Sequence, residues 1–297
     1  MSDYICKAIA AGGYIRAYAA TTRLTVESAR HYHNTSPVVT AALGRLLTAA
    51  AMMGSMMKSE GDKLTLKVNC EGPVQGLVAV ANEKAEVKGY AGVPDVIVPP
   101  SAAGKLDVGA AVGAGTLSVT RTLGLGEPFT GTCELTSGEI AEDITYYFAT
   151  SEQTPSSVAL GVLMNKNNTV KQAGGFIIQL MPGISEELID RLEEKLGTIH
   201  SITAMLEAGM TPEDILRDIL GDMELEILET VPTCYRCGCS RSKTLDTLAG
   251  LGRKSLDWVQ SGHPTEVICE FCSTVYQFDA EEIMAALEKR GKEAEEE

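Results

Sequence analysis

Aromatic residues are scarce. The 297-residue chain has one Trp and five Phe, and Phe, Trp and Tyr together make up 5%. Its core must therefore be aliphatic, built from Leu, Ile, Val, Ala and Met. Positive charge is also short, with 25 Lys and Arg against 40 Asp and Glu and a formal net charge of −15. Phosphate backbones and anionic bilayers repel such a chain, so neither nucleic acid nor a membrane is expected as a partner. The N-terminus, Met1-Ser2-Asp3-Tyr4-Ile5-Cys6-Lys7, lacks a basic stretch followed by an apolar one, so no signal peptide is expected. No run reads as long and apolar enough to span a bilayer; residues 48–57 are apolar, but Lys58 and Glu60 close them. The expectation is a soluble, cytoplasmic protein.

Enzyme motifs are missing too. There is no P-loop, no Gly-x-Ser-x-Gly and no His-Glu-x-x-His, and Gly113-x-Gly115 lacks the third glycine of a dinucleotide fingerprint. His31 and His33 have no third ligand beside them and read as surface or capping residues. The protein is not expected to be an enzyme.

What is present is an ordinary globular composition, 44% hydrophobic and 22% charged. The length suits one larger domain with one or two appendages. Residues 4–10 and 14–20 read as a strand pair around Ala11-Gly12-Gly13. Thr22 is a candidate N-cap for a helix to about His31, and Pro37 opens a second, mostly buried helix to about Met57. From Lys63 to Tyr90, Leu64, Leu66 and Val68 alternate with polar residues, as an antiparallel meander requires. Residues 116–120 and 128–135 add strands, 138–149 a helix, and 157–164 with 169–180 a hairpin. Helices over 185–200, 201–208 and 211–220 follow, with Gly209 as a stop and Thr211-Pro212 as a start. Leu188, Ile189, Leu192 and Leu196 form one apolar stripe; Ile215, Leu216, Ile219 and Leu220 form another. Short amphipathic helices are unstable alone, so this arm must dock on the N-terminal part or on a partner. A last helix begins at Asp279 and ends in a frayed acidic tail, residues 293–297. The fold class is α+β, in three parts: a mixed strand and helix core domain (1–182), a helical linker arm (183–230) and a small C-terminal four-cysteine domain (231–297).

Of the eight cysteines, Cys6, Cys70 and Cys133 are scattered, and Cys234, Cys237, Cys239, Cys269 and Cys272 cluster near the C-terminus. In a reducing compartment such a cluster points to metal ligation or redox chemistry. Cys237-x-Cys239 followed at a distance by Cys269-x-x-Cys272 supplies four thiolates, a tetrahedral zinc set. Gly238 removes side-chain bulk where the backbone must bend. Cys234-x-x-Cys237 is an equally acceptable knuckle, so spacing leaves Cys234 and Cys239 competing for one position. Thiolates held in close pairs also form an oxidation switch, because each pair condenses through a sulfenate to a disulfide.

Several segments resemble the Hsp33 family of redox-regulated molecular chaperones along nearly the whole chain. They are Ile15-Arg16-Ala17-Tyr18-Ala19-Ala20, Ala41-Ala42-Leu43-Gly44-Arg45, Gly115-Thr116-Leu117-Ser118-Val119, Tyr146-Tyr147, Ser151-Glu152-Gln153, Pro155-Ser156-Ser157, Ala173-Gly174-Gly175-Phe176-Ile177-Ile178-Gln179-Leu180-Met181-Pro182 and Leu225-Glu226-Ile227-Leu228-Glu229. The family's Cys-x-Cys and Cys-x-x-Cys signature selects Cys237, Cys239, Cys269 and Cys272 and sets Cys234 aside. The resemblance implies one zinc ion per reduced, inactive chain. It implies Cys237–Cys239 and Cys269–Cys272 disulfides under oxidative stress, with zinc release and unfolding of the cysteine domain and the arm. The oxidised form is then implied to dimerise and hold unfolding client proteins without ATP. Met52, Met53, Met56 and Met57 offer an adaptable client surface on one helix, though ordinary core packing is the expectation. A zinc-ribbon nucleic-acid-binding regulator is the alternative, on the strength of Arg236, Arg241, Lys243, Arg253 and Lys254 near the cysteines. A zinc-dependent thiol enzyme is a second rival.

Overall fold

A long, mostly apolar helix, Pro37–Ser55, is the hub of the fold. The N-terminal elements are β1 (Tyr4–Ala10), β2 (Ile15–Thr21), α1 (Arg23–His33), α2 (Pro37–Ser55), β3 (Lys63–Cys70), β4 (Leu77–Asn82), β5 (Glu86–Ala91), α3 (Val108–Val112), β6 (Gly115–Thr122), β7 (Phe129–Glu134), α4 (Ala141–Thr150), β8 (Ser156–Met164) and β9 (Val170–Leu180). The arm helices α5 (Glu186–Gly197), α6 (Ile202–Glu207) and α7 (Pro212–Leu220) follow, then β10 (Glu226–Pro232) and β11 (Cys234–Tyr235). These belong to a compact unit, Met1–Arg236; the second unit is Cys237–Glu297. This computed structural model describes residues 2–102, 104–124, 126–199, 201–251 and 265–296, without side chains for 291–296.

The first sheet has the order β10-β1-β2-β9-β8 and the second β11-β5-β4-β3-β6-β7. All neighbours pair antiparallel except β11 with β5. α2 packs against β4 and β5 of one sheet and β8 and β9 of the other. Met52 and Met53 are buried and Met56 and Met57 pack on the same core, so the methionines are packing residues. α2 also corrects the sequence reading: it is long and apolar enough to cross a membrane, but 94% of that stretch is buried inside the protein.

The first sheet is covered on both faces. Ile5, Ala20, Val162 and Ile177 join the α2 core, while Ala8, Ile15, Ala17, Phe176 and Ile178 meet the arm. This two-sided burial explains the nearly unbroken apolar run in β9. The second stripe docks whole, with Ile215, Leu216, Ile219 and Leu220 buried. Of the first, Leu192 is buried and Leu196 packs beside it, while Leu188 and Ile189 are only half-buried; Ile202 and Leu206 of α6 are buried too. Ser185, Ser201 and Thr211 cap its three helices, and Thr211 and Asp214 form a capping box. Gly209 takes φ +86 where α6 stops. Two glycines paired across β8 and β9, Gly161 and Gly174, make a flat seat for α6. A Cβ on Gly161 would lie 2.6 Å from Ile202 Cγ2 and from Thr203 Cγ2, and one on Gly174 2.8 Å from Leu206 Cδ1. Gly161→Val is expected to lift α6 and to cost about 1–3 kcal/mol, read as a lower Tm for the reduced protein.

Some expectations need correction. Thr22 stands at the N-cap of α1, but its hydroxyl turns to Thr48 Oγ1 at 2.7 Å. Asp3 does the capping from the start of β1, accepting from Thr25 N at 2.6 Å and Thr25 Oγ1 at 2.8 Å. The helix placed at 138–149 starts only at Ala141, because Asp143 gathers the amides of Thr136, Ser137, Gly138 and Ile140 in the turn before it.

The second unit contains α8 (Arg241–Gly250), a hairpin of β12 (Thr265–Ile268) and β13 (Val275–Phe278), and α9 (Ala280–Glu296). Asp279 caps α9, accepting from Glu282 N at 2.8 Å. The helix runs to Glu296, so residues 293–296 of the tail expected to fray continue it.

Candidate metal centre

The hairpin turn presents one pair of thiols. Cys269 N donates to Thr274 O at 2.9 Å, Ser273 N donates to Cys269 O at 2.8 Å, and Ser273 takes φ +55. This closes a tight knuckle between β12 and β13. The other pair sits on the short segment before α8, whose N-cap is Ser240. Gly238 between them corrects the steric expectation: a Cβ there would meet nothing within 4 Å, and its φ is not positive.

The structure brings Cys237, Cys239, Cys269 and Cys272 together, all four Sγ atoms lying within 4.8 Å of one another. Cys237 Sγ is 3.6 Å from Cys269 Sγ, and Cys239 Sγ is 3.4 Å from Cys272 Sγ. A tetrahedron with metal–sulfur bonds of about 2.3 Å has edges of about 3.8 Å, so the donor set fits a thiophilic divalent ion. Cys234 is not in this set; it is exposed in β11, opposite Glu86. Of the scattered cysteines, Cys6 is fully buried, which pushes its thiol up to about 12, and burial also raises Cys70 and Cys133. None of these three is a good nucleophile at neutral pH.

The four thiols are not electrostatically equal. Burial pushes Cys237 up to about 12 and also raises Cys269. Burial opposes ionisation of Cys272 as well, but hydrogen bonds to Thr274 and the neighbouring thiols outweigh it and bring that thiol to about 7. All four must be thiolates to hold a metal, so binding releases protons. Two hydroxyls support them: Tyr276 Oη lies 3.1 Å from Cys239 Sγ, and Thr274 Oγ1 lies 3.1 Å from Cys272 Sγ. The bond to Cys239 pushes the Tyr276 phenol up to about 12, so it stays a donor. The sequence reading missed both groups. Tyr276→Phe is expected to weaken metal retention about 10–100-fold, measured by chelator competition.

The basic residues near the cysteines have local partners. Arg236 pairs with Glu86 at 2.6 Å, Arg241 pairs with Glu282 at 2.6 Å and stacks over Phe278, and Lys243 donates to Gly238 O at 3.0 Å. Arg253 and Lys254 lie outside the described residues. Of the two histidines, His31 is exposed and His33 Nε2 lies 3.3 Å from Tyr235 Oη.

Known proteins share both the fold and the chain length. The family model described as Hsp33 protein matches residues 3–279. The 33 kDa chaperonin of Lachnoclostridium phytofermentans is 56% identical over 95% of this chain and 97% of its own length. That of Agathobacter rectalis is 53% identical over 95% and 99%. The crystal structure of the 33 kDa chaperonin, a heat shock protein 33 homologue, from Thermotoga maritima superposes with a TM-score of 0.90 at 34% identity, covering 98% of this chain and 100% of that one. With its α+β core, its C-terminal cluster of four cysteines and this end-to-end similarity, the chain belongs to the Hsp33 family of chaperones.

Proposed function

We propose that this protein is an ATP-independent holdase, switched on by oxidation, that binds unfolding proteins in the cytoplasm under oxidative stress. The observation that carries the reading is the cluster of four thiols within 4.8 Å. Cys237, Cys239, Cys269 and Cys272 hold one zinc ion in the reduced state. The ion keeps the thiols deprotonated and staples the second unit.

Oxidation removes the ligands. One thiolate of a pair takes an oxygen from peroxide as a sulfenic acid and releases hydroxide. Its neighbour then attacks that sulfur, forms the disulfide and expels a second hydroxide, so each pair of thiolates gives two electrons to one peroxide. Cys237 joins Cys239 and Cys269 joins Cys272. The C-terminal part (231–297) then unfolds and the arm (183–230) is freed from the core domain (1–182). Its release would bare Ala8, Ile15, Ala17, Phe176 and Ile178, a face now buried. Such a face suits apolar client segments and a second copy of the chain, so the active form is a homodimer. No step turns over a substrate, and neither nucleic acid nor membrane is a partner.

The test is light scattering from a thermally unfolding client, without ATP, with reduced or hypochlorite-treated protein. Only the oxidised protein is expected to suppress aggregation. Equal suppression by both forms, or by neither, rules the switch out.

A further inference from the structure

The first sheet ends on a strand that supplies backbone pairing but little core. β10 pairs with β1 from Tyr4 opposite Pro232 to Ile9 opposite Glu226. β1 is largely buried, with Ile5, Cys6 and Ala10 at zero exposure. In β10, Glu226, Leu228, Glu229, Thr230 and Pro232 are exposed, and only Ile227 and Val231 are half-buried. A bulge at Leu228 shifts the register, since Lys7 faces Glu229 while Ala8 faces Ile227. The shift turns the two anchors to opposite faces of the sheet. Ile227 joins the arm cluster, and Val231 joins the α2 core. The ion pair between the two strands, Lys7 Nζ to Glu229 Oε1 at 2.9 Å, involves a carboxylate that is 59% exposed, so it is screened and weak.

The chain leads from β10 straight to the metal centre. Thr233 Oγ1 donates to Ala85 O at 2.6 Å, and Tyr235 Oη donates to Gly89 O at 2.9 Å, so β11 clasps the second sheet. Arg236 follows, and Cys237 is the next residue.

We propose that the β1 edge is a client-binding surface of the activated protein, taking the extended backbone of an unfolding chain in the place of β10. This rests on the holdase reading above. Once β10 leaves, the amides and carbonyls of β1 that it satisfied need new partners. An unfolding polypeptide offers unpaired backbone whatever its sequence, and strand addition uses that backbone for affinity. β10 demonstrates the tolerance of the edge, which accepts acidic, β-branched, bulged and proline-containing sequence. In the reduced protein β10 wins the edge because it is tethered on both sides, at high effective concentration.

A fluorescein-labelled peptide with the sequence of residues 225–233 tests this by anisotropy on the full-length protein, reduced and oxidised. Binding to the oxidised form is expected, at least about tenfold tighter than to the reduced form. Analogues N-methylated at every second residue, in both registers, should show at least one that binds about tenfold more weakly. Saturating peptide should also displace carboxymethylated α-lactalbumin from the oxidised protein. No binding to the oxidised form overturns the proposal. So does binding that leaves the client held, or that only splits a dimer, which would make the edge a contact between copies. The peptide-free control separates the two readings: if the client never binds oxidised protein, the holdase reading fails, while anisotropy still reports whether the edge opens.

Discussion

Cys269→Ser is expected to empty the metal centre and unfold the second unit, giving a protein that suppresses aggregation without oxidant. The described residues of the unit supply little else to hold it. Among the described residues its buried cluster consists of Leu248, Phe278 and Ile283, with Leu245, Val267, Tyr276 and Leu287 packed around them. Three buried side chains of that kind contribute about 5–9 kcal/mol before any chain entropy is charged. A four-thiolate zinc site contributes on the order of 10 kcal/mol of apparent folding free energy. A zinc ion held by these four thiolates would therefore stabilise the unit more than the described cluster does, and removing one ligand would remove most of that stabilisation. Zinc content by elemental mass spectrometry and protease sensitivity of residues 237–297 check this directly. A variant that keeps a full equivalent of zinc would mean that another group ligates, and Cys234 would be the first to replace next.

Leu216→Ala is expected to activate the protein from the other side, with zinc still bound. Leu216 has no exposure and sits in the cluster between α7 and the first sheet. Truncating it costs about 2–5 kcal/mol, a large share of what docks a three-helix arm. The remaining ties of α7 are few: Tyr4 Oη donates to Glu213 Oε2 at 2.7 Å, and Ile215, Ile219 and Leu220 fill the same cluster. The reduced variant should suppress aggregation while a chelator detects no free zinc. If it stays inactive although hydrogen exchange shows the arm released, arm undocking is not the activating event.

These two variants rest on features of different legibility. The stripe Ile215, Leu216, Ile219, Leu220 was readable because helical periodicity is local, and so was the cysteine spacing. Which sheet the stripe covers was not readable, because Gly161 and Gly174 become a seat only once β8 and β9 are in register. β10 escaped notice because its alternation breaks at Leu228, the bulge. α8 carries only Leu245 and Leu248 in its first two turns, too thin a stripe to announce a helix. Tyr276 gave no signal either, since its hydroxyl meets Cys239 from a strand 37 residues away. Asp3 capping α1 across 22 residues is the same lesson: contacts made by tertiary folding leave no local pattern.

One measurement joins the metal, the thiols and the activity. Reduced protein is mixed with hypochlorite in the presence of a chromogenic zinc chelator and a thermally unfolding client, and absorbance and light scattering are followed together. One zinc per chain should be released as four thiols are lost, and suppression of scattering should rise with that release. Zinc release without suppression, or suppression with zinc and all four thiols intact, would contradict a switch built on Cys237, Cys239, Cys269 and Cys272.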